Sequence, residues 1–328
     1  MRPSRTRRQA FVSILAMSAL VATGCSSSKS DTKSSGGLEK TTIKVASLPL
    51  VDGAALYIAQ KQGFFKAEGL NVQIQPVQQS IQALPALVKG DIDVIAGANY
   101  VTFLQASDKG TLQLKVLAEG ATLTSNMMDV LVMPNSKIKT PKDLEGKKVA
   151  VNILNNIQSL TLNQILKADN VDATKVKYVA IPFPNMAAAL QSGQVDAIHA
   201  VEPFLTNGEK QLGLRSVVGG GAAPVTGMPI SGYVSTQTFA TKYPKAAAAF
   251  QRAIFKAQQL ATTDRKAVEQ VLPTYTKIDS QVASIITLPG YPASSNTTRM
   301  QRLTELMSTS GLLTKNVDLK STLLNATS

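Results

Sequence analysis

Histidine, cysteine and arginine are the side chains that most often carry chemistry, and this chain uses them sparingly. Its one histidine, His199, sits inside the apolar run Val195-Asp-Ala-Ile-His-Ala-Val201. A nucleophile–His–acid arrangement would need that residue as its base, and a metal site would need ligands beside it. No HxxxH, CxxC or phosphate-cradling glycine loop is present, so the sequence implies no metal and no cofactor. Amides and hydroxyls are placed more suggestively, in turns that follow short apolar runs. These are Gln79, Ser80, Asn99, Asn152, Asn155 and Asn156, with Leu50, Asp52, Tyr100, Phe183 and Glu202 in the same kind of turn. Asparagine and glutamine both donate and accept, and Tyr100 or Phe183 could stack on a planar group. That chemistry is reversible recognition of a small polar solute. Each of these residues also has a plainer reading as a helix cap, turn or core residue. The arginines outside the N-terminal segment, Arg215, Arg252, Arg265, Arg299 and Arg302, fall in none of these turns. A guanidinium clamp for a carboxylate or sulfonate is therefore not expected. Any anion would rely on helix N-termini, Asn, Gln and Ser, and Asp52 and Glu202 would oppose it. A neutral or zwitterionic solute stays open.

The turns acquire a common location once the elements are laid out. Leu87-Val-Lys-Gly-Asp-Ile-Asp-Val-Ile95 recurs as Leu190-Gln-Ser-Gly-Gln-Val-Asp-Ala-Ile198, with Leu, Gly, Asp and Ile in register 103 residues later. Strand candidates Ile43–Ser47 and Val72–Val77 likewise have counterparts at Val149–Asn152 and Val176–Ile181. A β-α-β-α-β block thus occurs twice. The spacing predicts strands over 41–47, 70–77, 92–96 and 114–118 in the first copy, alternating with helices over 53–62, 80–89 and 100–108. In the second it predicts strands over 149–152, 176–181 and 195–201, with helices over 157–168 and 185–191. Such alternation implies parallel pairing with helices on both sheet faces. In open sheets of this kind ligands sit beyond the carboxyl ends of the strands, where these turns lie. Several turns lead straight into helices, so free N–H groups are expected to face the cleft. The expected fold class is α/β, two similar lobes joined by two crossovers with a ligand cleft between them. The glycine-rich stretch from Gly219 to Pro229 is the expected return crossover. It precedes a strand over 232–235, a long helix over 246–262 and shorter C-terminal helices.

The two ends bound the rest. Arg2, Arg5, Arg7 and Arg8 precede an apolar run of 13 residues, Ala10–Ala22, and then Cys25, the single cysteine. That run is too short for a membrane span, which needs about 20 residues. It reads as a lipoprotein signal over 1–24, with Cys25 as the lipid-bearing residue, and the polar stretch to residue 40 as a flexible tether. Lobe one is expected over 41–125 plus 233–328 and lobe two over 126–232. With the four leader arginines removed, the formal charge falls from +13 to +9. The basic residues are scattered without interleaved aromatics, so nucleic-acid binding is not expected.

The residues then resemble a known family. Lys61-Gln-Gly-Phe-Phe-Lys-Ala-Glu-Gly-Leu-Asn-Val72, Thr140-Pro-Lys-Asp-Leu-Glu-Gly-Lys-Lys-Val149, the two repeat copies and Glu202-Pro203 are similar in kind and order to ABC-transporter solute-binding proteins. The group is that for sulfonates, taurine, nitrate and thiamine pyrimidine precursors. The resemblance spans about Thr41 to Leu272. It implies a type II periplasmic-binding fold that closes on a solute and docks an ABC permease, here lipid-anchored through Cys25 outside the cytoplasmic membrane and acting as a monomer. Many sulfonate binders of the group carry Gly-Ser where this chain has Asn152-Ile-Leu-Asn-Asn156, which argues against an alkanesulfonate. Two rival functions remain: an enzyme on the same scaffold acting on a pyrimidine precursor through His199, and a solute receptor for a membrane sensor.

Overall fold

The computed structural model describes residues 37–325; the leader, Cys25 and the tether up to residue 36 lie outside them. Two five-stranded sheets organise the described chain. The first has the order β2-β1-β3-β10-β4 and the second β7-β6-β8-β5-β9. In chain order the strands are β1 (Thr42–Ser47), β2 (Asn71–Pro76), β3 (Val94–Asn99), β4 (Leu114–Thr122), β5 (Met128–Val132), β6 (Lys148–Val151), β7 (Lys177–Ala180), β8 (Ala197–Val201), β9 (Arg215–Val218) and β10 (Pro229–Thr236). The orders superimpose position for position, which is the structural meaning of the sequence repeat.

Each sheet borrows one strand from the other half of the chain. After β4 the chain crosses and lays β5 into the second sheet; after β9 it returns and lays β10 into the first. Both visitors run antiparallel to their neighbours: β10 against β3 and β4, β5 against β8 and β9. The expected parallel pairing holds for β1–β3 and β6–β8 and not for the exchanged strands. The three strands of each repeat are parallel, but the exchanged strand enters from the opposite direction. An antiparallel neighbour needs no helical crossover of its own, whereas parallel neighbours do.

The helices that position the site are α1 (Ala54–Lys61), α2 (Phe64–Ala67), α3 (Leu84–Lys89), α4 (Tyr100–Asp108), α5 (Ile157–Ala168), α6 (Phe183–Gln191), α7 (Phe204–Leu212), α8 (Gln237–Lys242) and α9 (Pro244–Thr263). One face of the first sheet buries Val45, Val94 and Leu117 against Leu56 of α1 and Phe250 of α9. The other face packs Ile95 and Val116, with Leu104 of α4, in one core with Met300 and Leu303 that continues into the second sheet. Close approach of β4 and β10 requires glycine, because a Cβ on Gly120 would lie 2.9 Å from the Gly232 Cα. Leu38 packs against the first core, and the Glu39 carboxylate accepts from the amides of Lys245 and Ala246 at the start of α9 (3.1 and 3.2 Å).

Every repeated residue has a mechanical job. Leu87 and Leu190 are buried on α3 and α6, and Gly90 and Gly193 end those helices with φ of 85° and 72°, a conformation that glycine adopts without strain. The repeated aspartates pin the adjacent strand. The Asp93 carboxylate accepts from the Lys44 amide at 2.9 Å, while its own amide donates to the Lys44 carbonyl at 2.9 Å. Asp196 repeats both bonds with Lys148, at 2.8 and 2.9 Å. Asp93 also pairs with Lys40 at 2.6 Å and is buried, whereas Asp196 is exposed.

That difference sets the expected energetics. Asp93→Ala removes a buried carboxylate together with its charge-assisted bonds to the Lys44 amide and the Lys40 ammonium and is expected to destabilise by about 2–3 kcal/mol, against less than about 1 kcal/mol for Asp196→Ala. Urea unfolding of both variants checks this, and an equal or reversed order would contradict it.

Candidate functional site

Six strand ends and the two exchanged strands converge between the sheets. Leu48, Leu50, Asp52 and Ser80 come from the turns after β1 and β2, and Gly97 and Asn99 from the end of β3. The second sheet contributes Asn152, Asn156, Ile157 and Gln158 after β6, Phe183 at the start of α6, and Val201 at the end of β8; the exchanged strands add Met128, Ile230 and Ser231. Together they line a cavity of about 40 Å³. A larger, open depression of about 530 Å³ lies elsewhere, at the amino ends of the first sheet's strands near Lys40, Gly90 and Gln113. It gathers no comparable set of buried amides and receives nothing from the second sheet.

The cavity wall is held by specific bonds. The Leu50–Asp52 turn is fixed from behind, because Tyr275 and Tyr291 donate to the carbonyls of Leu50 and Val51 (3.0 and 2.9 Å). Tyr57 stacks on Tyr275 with ring centroids 3.7 Å apart. Ser231 Oγ donates to Asp52 Oδ2 at 2.6 Å, and burial raises the Asp52 pKa while that bond lowers it. On the facing side Asn156 caps α5, its Oδ1 accepting from the Gln158 and Ser159 amides at 3.1 and 3.4 Å. The Gln158 side chain is the hub. Its Oε1 accepts from the Asn152 amide (2.7 Å) and from Asn156 Nδ2 (3.1 Å), and its Nε2 donates to the His199 carbonyl. Asn99 caps α4 in the same manner, accepting from the Thr102 amide at 3.4 Å. The asparagine caps occupy amides of α4 and α5, whereas α6, which opens at Phe183 in the cavity wall, has no side-chain cap.

Bonds near the cavity join the two sides. Gln79 Nε2 donates to the Asn152 carbonyl (2.6 Å), Gln105 Nε2 to the Asn155 carbonyl (2.7 Å), and the Val51 amide to the Glu202 carbonyl (3.5 Å).

Of the residues singled out by sequence, Leu50, Asp52, Ser80, Asn99, Asn152, Asn156 and Phe183 line the cavity, and Gln79 bridges its rim. Three are elsewhere. Tyr100 is wholly buried, and its hydroxyl fills the space that a side chain on Gly232 would occupy. Asn155 is exposed in a left-handed turn (φ 53°) and acts through its backbone carbonyl. The Glu202 carboxylate turns away into the crossing region, accepting from Thr206 Oγ1 (2.7 Å) and from the amides of Thr206 and Thr287 (3.2 and 3.1 Å). Sequence reasoning missed Gln158, Gln105, Met128, Ile230 and Ser231. Gln158 carried a local signal, a polar residue two places after a cap. Ser231 carried none, because only strand exchange brings β10 to Asp52.

His199 is fully buried and lies outside the cavity wall. Neither ring nitrogen has a hydrogen-bond partner, although the Met128 and Gln158 backbone lies near enough to moderate the effect of burial. Burial lowers its pKa from 6.5 to about 4. Among the described residues no cluster of His, Cys, Asp and Glu could hold a metal ion.

Comparison with known proteins agrees with this architecture. The fold is that of periplasmic binding proteins. It matches the alkanesulfonate-binding protein SsuA of Xanthomonas axonopodis pv. citri with a TM-score of 0.74 at 20% identity, over 88% of this chain and 99% of that one. The nitrate-binding protein NrtA of Synechocystis matches with a TM-score of 0.70 at 17% identity, over 87% and 85%. The desulfurization enzyme DSZB shares the fold as well, with a TM-score of 0.63 at 16% identity, over 87% and 96%. The family model NMT1/THI5 like matches residues 51–267, and the chain belongs to that family. Among curated relatives, a protein of Haemophilus influenzae described as a thiamine biosynthesis protein is 28% identical over 148 residues, 45% of each chain. YtlA of Bacillus subtilis, described as a binding protein, is 25% identical over 224 residues, covering 67% of this chain and 66% of that one. The chain thus spans about half to two thirds of the length of these two relatives.

The lowered histidine pKa gives a pH dependence of definite sign. The unfolded chain binds a proton at His199 between pH 6.5 and about 4 that the folded chain refuses. The folded state's advantage is complete above pH 6.5 and is lost as pH falls through that window, by about 3 kcal/mol in all. Buried carboxylates whose pKa is raised, such as Asp52 and Glu202, act in the opposite direction, so the difference between wild type and His199→Gln isolates the imidazole. Unfolding free energies of both proteins from pH 4 to 7 are expected to diverge with that slope; parallel curves would contradict it.

Proposed function

We propose that this chain is the extracytoplasmic solute-binding component of an ABC importer, lipid-anchored through Cys25 and working as a monomer. The observation that carries the reading is the cavity walled by buried amides from both sheets, with Gln79–Asn152 and Gln105–Asn155 joined across its rim. Lobe one comprises 41–125 plus 233–328 and lobe two 126–232, with hinges where the chain crosses between β4 and β5 and between β9 and β10. A solute touching both walls stabilises the closed arrangement by its differential affinity for it, and the permease reads the closed form. The 13-residue apolar run, the small residues before Cys25 and the polar stretch after it support anchoring. Stable anchoring takes more than one acyl chain. Turnover on the same scaffold is less well supported, because the sole histidine is sealed away from the cavity.

Two measurements test the reading. Cys25→Ser is expected to move the protein from the membrane fraction to the soluble fraction; unchanged membrane retention would contradict the anchor. In a thermal-shift panel of sulfonates, nitrate, pyrimidines, amino acids and amidines, a bound solute at a hundredfold excess over Kd stabilises by about 2.7 kcal/mol. Gln79→Ala, which removes a rim bond, is expected to weaken that solute by about two- to tenfold. A panel without any hit, or a hit indifferent to the substitution, would count against closure on a guest.

A further inference from the structure

The polar inventory of the cavity identifies the kind of guest it suits. Asp52 is 7% exposed and Asn152 is 4% exposed, so both are removed from water. Among the described residues Asp52 forms no ion pair, and no Lys, Arg or His lines the cavity. The one side-chain partner of Asp52 is the Ser231 hydroxyl, at 2.6 Å. A buried carboxylate with one hydroxyl donor remains undercompensated, because ions leave water at high cost unless paired. Asn152 has spent its amide on Gln158 and its carbonyl on Gln79, while its side-chain Oδ1 is buried without a partner. Several nearby donors are committed elsewhere: Asn156 and Asn99 take amides of α5 and α4, and Gln158 Nε2 serves the His199 carbonyl. The Asp52 carboxylate and the Asn152 side-chain oxygen are two buried acceptors that no cation of the wall serves.

We infer that the cleft takes a compact cation bearing N–H donors, of the amidinium or alkylammonium kind, held between the Asp52 carboxylate and the Asn152 side-chain oxygen. The inference rests on the receptor reading and narrows its solute to a charge class. The cavity of about 40 Å³ suits a compact guest. Phe183, stacked on Phe204 at 5.8 Å, lines the same cavity.

Calorimetric titration of the full chain with acetamidinium chloride, methylammonium chloride, sodium nitrate and sodium methanesulfonate tests the inference. The expected result is saturable binding of at least one of the two cations, weakened at least tenfold in Asp52→Asn and severalfold in Asn152→Ala. Asn152→Ala keeps the test open if Asp52→Asn fails to fold. Saturable nitrate or methanesulfonate binding that survives Asp52→Asn would overturn the cation while leaving the receptor reading intact. Silence from all four probes would also overturn it, and the receptor reading then stands or falls on the wider panel.

Discussion

Strand exchange is the constraint on which the rest of this molecule depends. A five-stranded sheet assembled entirely from its own repeat would make two independent beads on a string. Because β5 completes the second sheet and β10 completes the first, the chain must cross between the sheets twice, close to the carboxyl ends of the repeat strands. Those crossings fix which ends of the two sheets face each other. The exchanged strands also contribute to the cavity wall directly, Met128 from one and Ile230 and Ser231 from the other.

On that frame, the cavity's properties follow from how buried polar groups are satisfied. A buried donor or acceptor left unmet is costly, so each amide near the cleft should find a partner. Most do, and the pattern of who serves whom is informative. Gln158 ties the β6 turn, the α5 cap and β8 into one network, which gives the second wall its shape without solvent. What the network leaves over is an acceptor surface around Asp52 and Asn152, and a guest with donors completes it. The crossing region follows the same logic. Glu202, which sequence placed at the ligand, instead binds Thr206 and Thr287 and so joins the second sheet's α7 turn to the C-terminal segment.

Much of the fold was legible because the repeat is mechanical. Leucine, glycine, aspartate and isoleucine at fixed spacing each perform a job that few residues can, and they perform it twice, so β1 to β3 and β6 to β8 could be placed from sequence. The exchanged strands were harder, since nothing in Met128–Val132 or Pro229–Thr236 tells which sheet they join or in which direction. The short β9 and helix α7 gave no strong periodic signal either. The same asymmetry governs the site. Turn residues after repeat strands were found by counting, as with Asn152 and Asn156. Ser231 was invisible because its partner, Asp52, is 179 residues away in sequence. Tyr100 was misplaced for a physical reason: it follows the cap Asn99 at the cleft edge, yet its ring turns inward to fill the gap left by Gly232.

The central claim is that the two walls come together around a guest. Spin labels at Val88 and Leu154, exposed positions at 54% and 49% on either side, report it directly in a Cys25→Ser background. Pulsed dipolar spectroscopy is expected to show a broad distance distribution in solute-free protein that collapses to the shorter component at saturating solute. An identical distribution with and without saturating solute would contradict the account.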